Sequence, residues 1–376
     1  MGSEMCIRDR TMGLHKLTQA ILLVLAPLCV QAADTAKPVV NLYIWGEYLA
    51  PDTLTNFEKK TGIHVVADHF DSLETVETKL LTGRSGYDLV LTAGQHLSRA
   101  IQSGAIQAVD KQQIPHFAGV GEEFRQHMAV FDPGNRYAGF YAWGTTGVGY
   151  QEEAVKQRLA DAPTDSWAML FDPAVVAKFA DCGVSLLNDP NEVFAAVMKY
   201  MGLDINRQSL DDLKLAEQQL AKIRPYIRYF DNDLNISDLA NGNTCVAMSW
   251  NGNVAIAAGQ AEAAKKPFSL KYRIPREGTL IWFDAMVIPK DAPHPEAGLA
   301  LMDYLMTPEV IAPITDTIHY ANAITAADSL IDPAIRNDPG TYPAQAVRAS
   351  LYSKNDNGKA FNRALIRAFS RLKSGL

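Results

Sequence analysis

The chain has 376 residues, 48% of them hydrophobic and 20% charged, with a formal net charge of −7. That length can bury two domain cores, and the composition excludes a disordered chain. The acidic balance argues against a nucleic-acid partner, and the eight histidines include no i, i+4 pair in a helix-like stretch, so no zinc or other metal site is expected.

Residues 1–11 fit no targeting pattern and read as an upstream extension. From Met12 a short polar stretch with Lys16, an apolar run from Ala20 to Val30 and the small-residue end at Ala32 read as a signal peptide cleaved after Ala32. The run is too short to span a bilayer, and no second one follows. Leu28 in front of Cys29 argues against a lipid anchor. Removing residues 1–32 leaves 32 basic and 40 acidic side chains, a net of −8. The mature chain keeps two cysteines, Cys182 and Cys245, and export to an oxidising compartment favours one disulfide between them.

Strands and helices then alternate. Val39–Ile44 reads as a strand, Pro51–Lys60 as a helix closed by Gly62, and Ile63–Phe70 as a strand. Asp71 with Glu74 resembles a capping box opening a helix to Leu81, followed by a strand at Tyr87–Leu91 and a helix near His96–Gln102. This alternation predicts an α/β fold with a mostly parallel sheet flanked by helices. Tyr137–Tyr150, with four glycines in extended aromatic sequence, reads as a crossing into a second lobe. Helices follow around Ser166–Phe171, Asn191–Met201 and Leu210–Ile223, then a strand at Thr244–Trp250 and an alanine-rich helix. A return crossing is expected within Lys271–Pro289, and helices from Pro295 finish the chain.

Several patterns carry no chemistry. The glycines of Gly144–Gly149 lack the helix that a phosphate loop opens, and Ser85 lacks nucleophile-elbow spacing. Asp189 and Glu192 have no nucleophile or metal beside them, so neither catalysis nor a cofactor is expected. Asp189 precedes Pro190 and reads as a helix cap or a ligand contact. Trp45, Tyr48, Trp143, Trp250, Trp282 and Tyr320 stand where strands run into loops, and Asp284 follows Trp282 by two. Aromatic faces beside carboxylates suit an organic cation, through the ring quadrupole and charge-assisted hydrogen bonds.

The stretches Ile44–Tyr48, Phe57–Gly62, Gly86–Val90, Trp143–Gly147, Asp238–Gly242, Trp282–Asp284 and Tyr320–Ala323 resemble the periplasmic polyamine-binding proteins of ABC importers, in order over nearly all of the mature chain. The resemblance implies a two-lobed periplasmic binding protein fold of type II, joined by extended hinge crossings. The first lobe would take residues 36–143 and 272–325, and the second 144–271 and 326–376. It implies a monomeric periplasmic receptor that closes on putrescine or spermidine and delivers it to membrane permease subunits, with no enzymatic activity. It also implies a disulfide between Cys182 and Cys245. Trp45, Glu47, Tyr48, Asp189, Glu192, Trp250, Asn253, Trp282, Asp284 and Tyr320 are the implied ligand-binding residues. Asn253 stands where putrescine receptors carry an aspartate, whereas Asp189 and Trp282 resemble the spermidine-preferring branch, so spermidine is expected over putrescine. The alternatives are a receptor for another amine or an ω-amino acid, a sensor or adaptor using the same cleft, and an enzyme on the same fold.

Overall fold

The computed structural model describes residues 37–46 and 48–375; the expected upstream extension, the signal peptide with its cleavage after Ala32, and Glu47 lie outside the described residues. Among the described residues nine strands run in chain order as β1 (Val39–Trp45), β2 (His64–Phe70), β3 (Leu89–Ala93), β4 (Ala138–Gln151), β5 (Val184–Leu186), β6 (Tyr229–Phe230), β7 (Val246–Trp250), β8 (Leu270–Arg273) and β9 (Ile281–Val287). They hydrogen-bond in the order β2-β1-β3-β9-β4-β7-β5-β6, with β8 also paired to β4. No described helix is long and apolar enough to cross a membrane.

The sheet is mixed, which corrects the expectation of a mostly parallel one. Parallel pairing is confined to the two ends, β2-β1-β3 and β6-β5-β7, where a helix returns the chain between strands. At the centre β9 runs antiparallel to both β3 and β4, and β4 antiparallel to β7 and β8. The central strand β4 is the long crossing, and its neighbours β7, β8 and β9 all run against it.

All fourteen residues of β4 are buried. Its first part, Ala138–Thr145, pairs with β9; its second, Thr146–Gln151, pairs with β7 and β8. The glycines in it serve close packing. A Cβ at Gly144 would stand 2.4 Å from Trp282 and 2.5 Å from Asn251, and one at Gly147 would stand 2.5 Å from the Arg273 carbonyl.

Two hydrophobic cores flank this crossing. One holds β1–β3, the start of β4, β9 and the helices Pro295–Leu305 and Pro308–Ile318; the other is built on Val148, β5, β7 and the helices Pro190–Tyr200, Leu210–Ile223 and Lys359–Ser374. The Leu210–Ile223 helix shows why sequence reading finds such elements. Leu213, Ala216, Leu220 and Ile223 form a buried stripe at helical spacing, and Ser209 caps the first turn through its hydroxyl. The helix Leu73–Thr82 is capped by Ser72, which accepts from the Thr75 N–H, so the capping residue is not the expected Asp71.

The expected lobe boundaries shift at two places. Ala327, Ile331 and Leu351 pack in the first core, although the sequence reading put residues after 326 with the second lobe. Asn322 holds that segment in place, donating to Thr315 at 3.0 Å, while its N–H donates to the Tyr342 hydroxyl at 3.2 Å. The first core also resumes later than 272, inside the Lys271–Pro289 stretch: β8 pairs with the second part of β4, and the cores change between Leu280 and Ile281. There the chain meets Tyr352, whose N–H donates to Thr279 and whose carbonyl accepts from Ile281. Cys182 and Cys245 form a disulfide that closes a separation of 63 residues and staples the parallel β5–β7 pair beside Val184 and Val246.

Candidate functional site

Between the two cores the structure gathers two buried carboxylates inside aromatic walls. Asp284 is the fourth residue of β9, opposite Ala93 on β3 and Ala142 on β4, neighbours too small to cover it. It is 4% exposed. Strand alternation puts Trp282 on the same face two residues earlier. The Tyr48 hydroxyl donates to Asp284 Oδ2 at 2.6 Å. Tyr320 closes the other side, its ring 4.8 Å from Trp282 edge to face and 6.0 Å from Tyr48. Burial pushes the Asp284 carboxyl up to about 7, although Tyr48 and the nearby Trp45 pull it down. No salt-bridge partner of Asp284 stands among the described residues, and its close polar contact is the Tyr48 hydroxyl.

Glu192 sits in the first turn of the helix Pro190–Tyr200, behind the N-cap Asp189. Burial, then the Asp189 charge, push it up to about 8. Thr146 on β4 and Trp250 on β7, which face each other in the ladder, lie close enough to pull it back. Glu192 Oε2 and Thr146 Oγ1 nonetheless find no hydrogen-bond partner among the described residues, so this contact is proximity without a formed bond. Trp250 packs against both cores and so spans the gap between the two carboxylates' elements.

The remaining sequence-derived residues divide. Trp45 packs on Phe70 at 4.4 Å beside Asp284. Asp189 is a helix cap, with Oδ1 accepting from the Asn191 and Glu192 N–H groups at 2.7 and 3.2 Å. Asn253 is spent within the fold: its amide donates to the Asn232 carbonyl at 3.2 Å, and its oxygen accepts from the Tyr320 hydroxyl at 3.0 Å. Trp282 Nε1 is buried without a partner among the described residues. Trp143 is 1% exposed and belongs to the first core, its indole donating to the Asn322 carbonyl.

Three residues of this region were not singled out from sequence. Tyr141, fully buried, donates its hydroxyl to the Tyr48 carbonyl and so fixes the backbone of the residue that holds Asp284. Its place in an alternating run with Trp143 was the available signal. Thr146 stood only inside the Trp143–Gly147 stretch, and Lys354 carries no pattern that marks it. Close approach is again bought with glycine, since a Cβ at Gly252 would stand 2.4 Å from the Tyr320 ring. No group of three or more potential metal-ligating side chains gathers among the described residues. The two carboxylates, each beside aromatic rings, are groups that can bind and orient a cation.

Comparison with known proteins places this geometry in context. Residues 52–344 match the family model described as bacterial extracellular solute-binding protein. The chain is 43% identical over 346 residues to the putrescine-binding periplasmic protein SpuD of Pseudomonas aeruginosa, covering 92% of this chain and 94% of that protein. It is 41% identical to the putrescine-binding periplasmic protein PotF of Escherichia coli, covering 90% and 92%. Among solved structures, the spermidine/putrescine substrate-binding protein PotD of Streptococcus pneumoniae superposes with a TM-score of 0.78 at 24% identity, covering 90% of this chain and 99% of that one, a likeness of fold.

Proposed function

The chain belongs to the bacterial extracellular solute-binding proteins, which are receptors and not enzymes, and from that premise we propose that it captures a short diamine of the putrescine class in the periplasm and delivers it to an ABC permease. One observation carries the reading. Asp284 and Glu192 are buried carboxylates, each with its pKa pushed up and neither in an ion pair among the described residues. A diamine brings one ammonium to each and relieves two desolvated charges at once, while the rings of Tyr48, Trp250, Trp282 and Tyr320 offer apolar contact to the methylenes between.

The expected preference for spermidine gives way to putrescine. It rested on Asn253, Asp189 and Trp282, whereas Asn253 is engaged by Asn232 and Tyr320, and Asp189 Oδ1 caps its helix while keeping its charge. The relatives named for putrescine support the shorter ligand.

In this proposal the lobes are residues 37–145 with 281–351, and 146–280 with 352–375. Ligand contacts both only when the cleft is shut, and that differential contact shifts the open and closed populations. A second reading has one observation of its own. Trp282 Nε1 is an unpartnered donor, which suits a ligand bearing an acceptor at one end, such as an ω-amino acid. Calorimetric titration of the mature protein with putrescine, cadaverine, spermidine and a five-carbon ω-amino acid separates the two. Tightest binding of putrescine is expected; tightest binding of the ω-amino acid, or no binding of any diamine, overturns the proposal.

A further inference from the structure

Lys354 is a lysine only 5% exposed, in the segment Ser353–Gly358 that joins the two cores. Hydrogen bonds tie this segment to the second core's elements. Asn206 binds the Ser353 carbonyl at 3.1 Å and the Asn355 N–H at 2.8 Å, and Gln208 binds the Asp356 carbonyl at 2.9 Å and the Gly358 N–H at 2.8 Å. The Lys354 ammonium donates to Asn357 Oδ1 at 2.6 Å and to the Asn355 carbonyl at 3.2 Å. Asn357 in turn donates to Asn191 Oδ1 at 2.9 Å, on the helix turn that carries Asp189 and Glu192. The ammonium is thus held by its own loop, which Asn357 ties to the helix turn carrying Asp189 and Glu192, yet no described carboxylate lies within ion-pair distance of it.

The charges that face Lys354 are Asp189, Asp356 and Glu192, which attract it, and Arg99, which repels it. Asp356 is shared with Arg99, which reaches it at 3.4 Å while gripping Glu77 through two bonds of 2.6 Å. Asp189 and Glu192 are left as the carboxylates that Lys354 offsets. Burial holds the ammonium down to about 8, so its charge is carried in the site at a cost that the neighbouring carboxylates reduce.

We propose that Lys354 is a specificity-determining residue that acts as the cleft's own tethered ammonium, so that a ligand with two charges fits and one with three does not. Asp284, Glu192 and Asp189 supply three negative charges and Lys354 one positive. Two negative charges remain for the ligand. A diamine brings the closed cleft to neutrality, whereas a triamine strands one buried positive charge without a partner. The inference rests on the diamine reading above.

The test compares putrescine and spermidine on wild type and on Lys354→Met, Lys354→Gln and Lys354→Arg, each checked for native circular dichroism and thermal transition. Wild type comes first: if it binds neither amine, the diamine reading itself fails. If it binds putrescine, Lys354→Met and Lys354→Gln are expected to shift the ratio of the two dissociation constants at least about tenfold toward spermidine, and Lys354→Arg to keep the wild-type ratio. Using both neutral variants guards against misfolding of either. An unchanged ratio in the neutral variants overturns the proposal, as does an equal shift in Lys354→Arg, which would make the effect one of volume. Loss of ω-amino acid binding in Lys354→Met with no change between the amines overturns it too, since Lys354 would then clamp an acceptor.

Discussion

Replacing Asp284 with Asn is expected to move stability and affinity in opposite directions. The substitution keeps the side chain's shape and leaves an acceptor for the Tyr48 hydroxyl. In the empty protein the carboxyl's pKa is raised from 3.8 to about 7 by burial. A raised carboxyl contributes stability that is fully present below the unfolded value and is lost as pH rises through the folded one. The unfolded chain gives up its proton first, so the folded state holds the extra proton between these values. At 1.36 kcal/mol per pH unit the whole effect is about 4 kcal/mol, of which about 2–3 kcal/mol falls between about pH 5 and pH 8. Asp284→Asn should therefore be more stable than wild type at both values, the gap widening by about 2–3 kcal/mol from about pH 5 to about 4 kcal/mol in all near pH 8, read from urea titrations without ligand. Putrescine binding should fall by about 3–5 kcal/mol, two to four decades in affinity, because one ammonium then enters the cleft unpaired. A variant with wild-type affinity and a wild-type pH slope would refute the reasoning, since Asp284 would then be neither desolvated nor in contact with the ligand.

Three further outcomes follow from the same geometry. Because burial holds Asp284 at about 7 and Glu192 at about 8, diamine binding should release protons near neutral pH and weaken as pH falls below about 7; calorimetry in buffers of different ionisation enthalpy reads the release, and proton-independent binding would count against both carboxylates. Gly252→Ala places a Cβ against the Tyr320 ring and should lower affinity about tenfold while circular dichroism stays native, whereas unchanged affinity would show that Tyr320 need not pack there. Replacing Cys182 and Cys245 together with serine should cost about 2–4 kcal/mol of unfolding free energy, given the 63-residue separation that the bridge closes, and denaturant titration of oxidised wild type against the variant measures it.

What the sequence determined by itself is local. The buried stripe of the Leu210–Ile223 helix, the left-handed Gly62 that ends the helix Thr53–Thr61, and the glycine-bearing extended run of β4 are all set by neighbours a few residues away, where periodicity and turn chemistry act. The aromatic and acidic residues of the cleft were legible as types suited to a cation. Their mutual geometry was not. Tyr48 and Asp284 are separated by 236 residues and Tyr320 and Asn253 by 67, and no local pattern records that one hydroxyl meets a carboxylate while the other consumes an amide. Asp189 had two readings in sequence, and the backbone N–H groups of the Pro190–Tyr200 helix engage it as a cap. Residues 327–351 went to the first core, where the Tyr342 hydroxyl accepts from the Asn322 N–H across 20 residues, a choice that no neighbouring residue records. Lys354 is the extreme case: a lysine in a polar run reads as solvated surface, and only closure of the chain around it leaves its ammonium buried in a loop tied to the turn that carries Asp189 and Glu192.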